Sequence, residues 1–231
     1  MRIGLFDSGI GGLTVLRAML KYHPNNEYIY YGDTEHMPYG EKTKQELYQY
    51  SKKIIDYLIN EKVDLIIIAC GTVSTNLYDI LKEETNLPLY SVISEVPKYI
   101  EEKGYKNTLV MATNASINSH IFKNTIKNNV IEVACPKLVP MIESKEYDNI
   151  DEVLDEYLKE KDNIDSIVLG CTHYPIIVDK IKNKINDNID ILDMGEILAQ
   201  KLNIIDSKKD VKLVFSKITD KLKDNIDEIL K

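Results

Sequence analysis

Two cysteines stand at the ends of two similar apolar runs, and thiols so placed can move protons on and off a carbon centre. Leu65-Ile66-Ile67-Ile68-Ala69 runs into Cys70-Gly71-Thr72, and Ile167-Val168-Leu169-Gly170 runs into Cys171-Thr172-His173. Each run is short, unbroken and rich in β-branched residues, the pattern of a parallel strand buried on both faces. Small and hydroxyl residues follow each cysteine and are expected to open a helix. Open α/β sheets hold ligands where strand ends feed helix N-termini, and such a terminus favours a thiolate. Two thiols approaching one molecule from opposite sides would invert a carbon centre without a cofactor.

Other polar groups cluster near the same kind of strand end. Phe6-Asp7-Ser8-Gly9-Ile10-Gly11-Gly12 follows the first apolar strand. Its glycines either make a tight turn or let backbone N–H groups approach an anion. No Gly-Lys-Ser/Thr follows, and the G-x-G-x-x-G spacing of dinucleotide sites is missing, which excludes both nucleotide motifs. His173, two residues past Cys171, is either its acid/base neighbour or a helix cap. Glu143 reads as a surface carboxylate. Cys135, in Ala134-Cys135-Pro136, has no polar company in sequence and reads as structural. Met37-Pro38-Tyr39-Gly40 reads as a loop whose N–H groups line a pocket. Cys70, Cys171 and His173 would be the ligands of a zinc site, but no CxxC or HxxxH spacing supports one, so no metal is expected.

These residues need a scaffold. Apolar segments at 2–6, 27–31, 64–69, 89–93, 108–112, 130–134, 166–170 and 189–192 alternate with amphipathic stretches such as 43–61 and 151–161. That alternation predicts doubly wound parallel sheets. The cysteine motifs recur about 100 residues apart, and each half offers a polar strand end early (Asp7-Ser8, Thr113-Asn114) and a Cys-Thr or Cys-Gly-Thr end later. This points to two similar α/β lobes facing across a cleft, with 94–107 crossing between them.

Composition narrows the class. A chain of 231 residues, 44% hydrophobic and 29% charged, fits a globular protein with proper cores. No stretch approaches the roughly 20 apolar residues of a membrane span. The N-terminal segment lacks a signal-peptide layout, so a cytoplasmic protein is expected, with its three cysteines kept as thiols. A net charge of −8 excludes the basic face that nucleic acid requires. Arg2 and Arg17 are the two arginines, so substrate carboxylates are expected to bind N–H groups and hydroxyls rather than a guanidinium fork.

Together, FDSGIGGLTVL (6–16), YYGDTEHMPYGEKT (30–43), ACGT (69–72), CPKLVPMIE (135–143) and GCTHYP (170–175) resemble the cofactor-independent aspartate/glutamate racemase family. The resemblance implies two pseudo-symmetric doubly wound lobes with the active site between them, split as 1–94 plus 206–231 and 95–205. It implies interconversion of L- and D-glutamate by a pair of cysteine bases, supplying D-glutamate for peptidoglycan, with a small-molecule substrate, no cofactor, and a homodimer by analogy. Cys70 and Cys171 match the paired thiols. Asp7 matches the carboxylate assisting the first, and His173 and Glu143 match the groups assisting the second. Ser8, Pro38, Tyr39, Gly40, Gly71, Thr72, Thr113, Ser116 and Thr172 fall at substrate-binding positions. Gly71 stands where the family usually has Asn, and a water or neighbouring side chains such as Ser8 and Thr172 are expected to stand in for that amide. Racemisation of aspartate or another amino acid, and a catalytically idle binding or regulatory paralogue, are the alternative readings.

Overall fold

The computed structural model of the chain describes residues 1–159 and 163–230. In the first half, β1 (Arg2–Asp7), β2 (Glu27–Gly32), β3 (Leu65–Ile68) and β4 (Leu89–Ser91) lie in the spatial order β4-β3-β1-β2, all parallel. In the second, β5 (Asn107–Ala112), β6 (Asn129–Ala134), β7 (Ser166–Leu169) and β8 (Asp190–Asp193) repeat it as β8-β7-β5-β6. The internal duplication read from the cysteine motifs is therefore a duplication of topology. The helical stretch foreseen at 151–161 is a helix over Ile150–Tyr157, and its residues 160 and 161 lie outside the described residues.

One strand was not foreseen. β9 (Asp210–Phe215) adds to the open edge of β2 in the first sheet, pairing Glu27 with Asp210 through Gly32 with Phe215. Its first three residues are exposed and its last three half-buried. An edge strand of this kind lacks the continuous apolar run that marks a buried parallel strand. The β3 and β7 runs are the opposite case, buried along their whole length. Burial of each such Leu, Ile or Val is worth about 1.5–3 kcal/mol, which anchors the cysteine that follows.

The order of each sheet creates a crevice. Connections leave β1 toward β2 and return across it to β3, so the loops after β1 and β3 diverge. The same reversal separates the loops after β5 and β7. Ligands bind outside the carboxyl ends of strands at such switch points. Asp7 and Cys70 end the first pair, and Thr113 and Cys171 follow the second.

The lobes share a core. Leu5 and Ile67 of the first sheet and Val110 and Val168 of the second belong to one apolar cluster, completed by Leu16 and Leu198. Helix Leu13–Tyr22 packs against helix Met194–Lys201 within it. Separate clusters fill the outer faces of each sheet. Among the described residues, no helix is long and apolar enough to cross a membrane.

Candidate active site

One cavity between the two sheets is lined by Asp7, Ser8, Cys70, Gly71 and Thr72 from the first lobe and by Thr113, Glu143, Cys171, Thr172 and His173 from the second. Pro38, Tyr39 and Gly40 close it from the loop after β2. Cys70 and Cys171 are both free, buried thiols. Among the described residues, no lysine or arginine lines the cavity. Arg2 pairs with Glu27, and Arg17 donates to the carbonyl of Ile229, so both arginines are engaged elsewhere.

Cys70 caps the helix Gly71–Glu84, as expected of a strand end that opens a helix. The thiolate-favouring effect foreseen for it does not prevail. Burial, with the Asp7 carboxylate next in weight, pushes the Cys70 thiol well above its ordinary value, against opposing backbone donors at Val73 and Ser8. Desolvation penalises the charged form more than a helix terminus relieves it. Cys70 is thus held protonated. Asp7 is fully buried, and its Oδ2 accepts the N–H groups of Gly9 (3.1 Å) and Gly12 (3.0 Å). The glycine loop therefore wraps the protein's own carboxylate. Oδ1 lies 3.4 Å from the Thr172 hydroxyl of the other lobe.

Cys171 behaves differently from its counterpart. Its strand enters a 3-10 turn over Tyr174–Ile177 instead of an α-helix, with the Tyr174 N–H closing on the Cys171 carbonyl and the Ile176 N–H on that of His173. The turn brings the His173 ring back beside the sulfur, with Nδ1 3.7 Å from Cys171 Sγ. Nε2 lies 2.6 Å from Glu143 Oε1, on the helix Leu138–Ser144. Burial opposes a charge on His173, yet the hydrogen bonds to Cys171 and Glu143 and their negative charge outweigh it and hold the imidazole well above its ordinary value. A protonated His173 presents an N–H to Cys171. Glu143 is thus no free surface carboxylate, and His173, although it stands at the N-terminal end of the 3-10 turn, makes no capping bond with its ring, which goes to Cys171 and Glu143 instead.

The hydroxyl wall spans both lobes. Thr72 and Thr113 hydroxyls meet at 3.0 Å, and Thr75 reaches Ser116 at 3.3 Å. Ser116 does not line the cavity. It is fully buried behind Thr113, whose hydroxyl donates to it at 3.0 Å, because Thr113 caps the helix Asn114–Asn118 and turns Ser116 inward. Cys135, read as merely structural, lies on the cavity wall with Pro136, Val139 and Pro140. Met37, Glu41 and Asn114 also line it. Asp33 was not singled out at all. It is buried and accepts from Tyr39 (2.5 Å) and His36 (2.9 Å), while His36 stacks on Tyr50 with ring centroids 4.1 Å apart. This network holds the Pro38–Gly40 wall. The signal for it was the close spacing of Asp33, His36 and Tyr39.

Known proteins share this architecture. Residues 11–202 match the profile of the family described as Asp/Glu/Hydantoin racemase. The chain is 38% identical to a glutamate racemase of Fusobacterium nucleatum over 224 residues, covering 90% of this chain and 85% of that protein. It is 40% identical to one from Clostridium perfringens, covering 83% and 77%. Among solved structures, glutamate racemase from Campylobacter jejuni superposes with a TM-score of 0.89 at 29% identity, covering 98% and 96% of the two chains. The Francisella tularensis enzyme in complex with D-glutamate gives 0.87 at 31%, covering 99% and 93%. With the profile spanning most of its length and relatives of this similarity, the chain belongs to the Asp/Glu/hydantoin racemase family and is an amino-acid racemase.

Proposed function

We propose that this racemase interconverts L- and D-glutamate without a cofactor, using Cys70 and Cys171 as its two acid/base groups, and that it supplies D-glutamate for peptidoglycan in the cytoplasm. The observation that carries the reading is the placement of two buried thiols, at equivalent strand ends of two duplicated sheets, on one cavity. The names of the relatives support glutamate as substrate. The two lobes that face each other are 1–94 with 206–231, and 95–205.

The physical problem is a weakly acidic Cα–H. The thiolate of one cysteine takes that proton from one face while the thiol of the other delivers a proton to the opposite face. In the reverse reaction they exchange roles. A free thiol with its usual pKa near 8.5 is only a few per cent ionised at pH 7. On one side His173 lies against the Cys171 sulfur, with its Nδ1 3.7 Å away, while Cys171 removes a proton. On the other side Cys70, held protonated by burial, is the group that delivers one. The two cysteines thus serve opposite halves of one turnover, and the family resemblance assigns Cys171 to the L-form. Asp7 orders the glycine loop and the Thr172 hydroxyl; it does not act on the carbon. With no lysine or arginine at the wall, the hydroxyls of Ser8, Thr72, Thr113 and Thr172 and nearby N–H groups hold the substrate carboxylates, in a dry site where fixed donors stabilise developing charge.

Chiral analysis of product from each L-amino acid tests this. D-glutamate should form faster than any other D-amino acid. Faster inversion of aspartate or another amino acid would reassign the substrate, a reading that Gly71 keeps open. No inversion of any amino acid would leave an idle paralogue.

A further inference from the structure

Gly71 follows the first catalytic thiol, and the structure shows what its missing side chain would meet. A Cβ built there stands 2.6 Å from the carbonyl oxygen of Gly170 and 3.7 Å from Cα of Cys171. Those atoms are main chain of the opposite lobe, held by strand pairing: Gly170 N–H donates to Met111 O at 2.7 Å. They cannot swing aside as a long side chain can. Any residue larger than glycine at 71 must therefore push the lobes apart at the point where both cysteines sit.

A second glycine makes the same kind of contact. At Gly11, a Cβ would collide with the His173 ring and come within 2.7 Å of Thr172 Oγ1. The ring could retreat only by giving up its bonds to Cys171 and Glu143. Beside it, the Thr14 hydroxyl is shared between the Gly11 carbonyl of its own lobe at 2.8 Å and the Thr172 carbonyl of the other at 3.0 Å. The segment Gly170–His173 thus rests on the first lobe at Gly71, Gly11 and Thr14.

We infer that Gly71 is a positioning residue that sets the gap between the Cys70 and Cys171 thiols, by letting the two strand ends touch main chain to main chain. This rests on the two-thiol racemase reading. It also decides what position 71 does for the substrate. Any side chain there meets the Gly170 carbonyl at its first carbon, so the amide usual in the family has no room while the lobes keep this spacing. Recognition falls to Thr72, Thr113, Thr172 and Ser8. Gly71→Asn is then no repair.

The test compares the wild type, Gly71→Ala and Gly71→Asn as full-length proteins, each checked for a cooperative melt. With glutamate in D2O, inversion is followed by chiral analysis and exchange of the α-proton with retention by NMR. A widened gap lets one thiol remove and return the proton while the other falls out of reach. Gly71→Ala should lower kcat for inversion by about 100-fold, the cost of a misplacement near 1 Å, with KM moved less than about threefold. The ratio of retention exchange to inversion should rise. That ratio is internal to the active molecules, so partial unfolding does not move it. Gly71→Asn should be at least as impaired. Should neither variant fold, Thr14→Val loosens the same contact and should raise the ratio by itself. Near wild-type inversion by Gly71→Ala, a lower KM with unchanged kcat in Gly71→Asn, or an unchanged ratio in variants whose inversion falls would each overturn the inference. An unchanged ratio in Thr14→Val, where it is needed, would do the same. A wild type that inverts no amino acid overturns the racemase reading and this inference with it, whereas an active wild type with an unaffected Gly71→Ala overturns this inference alone.

Discussion

His173 and Glu143 are joined ring to carboxylate at 2.6 Å, across the gap between the turn after β7 and the helix Leu138–Ser144. The His173 side chain is 4% exposed and that of Glu143 16%, so the carboxylate keeps partial access to solvent. Glu143 is therefore the outer end of a line that runs through His173 Nδ1 to the Cys171 sulfur. A proton leaving or reaching Cys171 has a hydrogen-bonded route to the rim of the cavity.

Glu143→Gln keeps the shape of that line and removes its negative charge. His173 should lose its proton more easily, so the alkaline limb of the pH–rate profile should move down by about 1–3 pH units, the usual effect of a close opposite charge. KM for glutamate should change little. A pH profile of kcat/KM that matches the wild type would remove His173 protonation from the mechanism.

Each cysteine should serve one enantiomer. Cys70→Ala and Cys171→Ala are each expected to abolish net racemisation. The surviving thiolate in either variant should still exchange the α-proton of a single enantiomer with D2O, that of L-glutamate when Cys171 survives. NMR of the recovered substrate reads this directly, and racemisation by either variant at near wild-type rate would end the two-base assignment.

Stability should decline on the alkaline side. His173 is held above its ordinary 6.5 and Cys70 above its ordinary 9.0, so in each window the folded protein keeps a proton that the unfolded chain has lost. Stability then falls as pH rises. The contribution of His173 is complete below about pH 6.5 and is lost through its higher folded value; that of Cys70 follows at higher pH. Thermal melts should show Tm dropping from near neutrality upward, and His173→Asn should flatten the first part of that slope. A wild-type Tm that rises steadily from pH 7 to 9 would contradict the sign.

Thiol chemistry should be sufficient. Prolonged dialysis against a chelator should leave the rate unchanged, and added pyridoxal phosphate should not raise it. Alkylation of the cysteines should abolish activity, with glutamate protecting. Activity lost on chelation and restored by zinc would revive a metal reading of Cys70, Cys171 and His173.

Tyr39→Phe removes the hydroxyl that donates to buried Asp33. A buried carboxylate short of one hydrogen bond costs about 1.5–3 kcal/mol, visible as a lower denaturant midpoint. Because Asp33 holds the Pro38–Gly40 wall, KM should rise more than kcat falls. An unchanged KM would place the network outside substrate binding.

Much of this protein is determined by local pattern. The apolar runs ending in Cys70 and Cys171 declare buried parallel strands because such strands touch apolar neighbours on both faces, whatever the rest of the fold does. Glycines and hydroxyls at their ends mark where the chain must turn and where donors collect. β9 escaped this reading because an edge strand is under no such demand, and its Val-Lys-Leu-Val stretch is half-exposed.

What tertiary structure decided is everything that depends on groups meeting from distant parts of the chain. Burial between two lobes, invisible in the neighbours of Cys70, turned an expected thiolate into a protonated thiol. The fold gave His173 its carboxylate partner 30 residues away, turned Ser116 behind Thr113, and put Cys135 on the cavity wall. Gly71 shows the division most clearly. In sequence it is a missing amide; in space it is a contact with the carbonyl of Gly170, because the distance between two lobes is a property of their packing and not of either strand end alone.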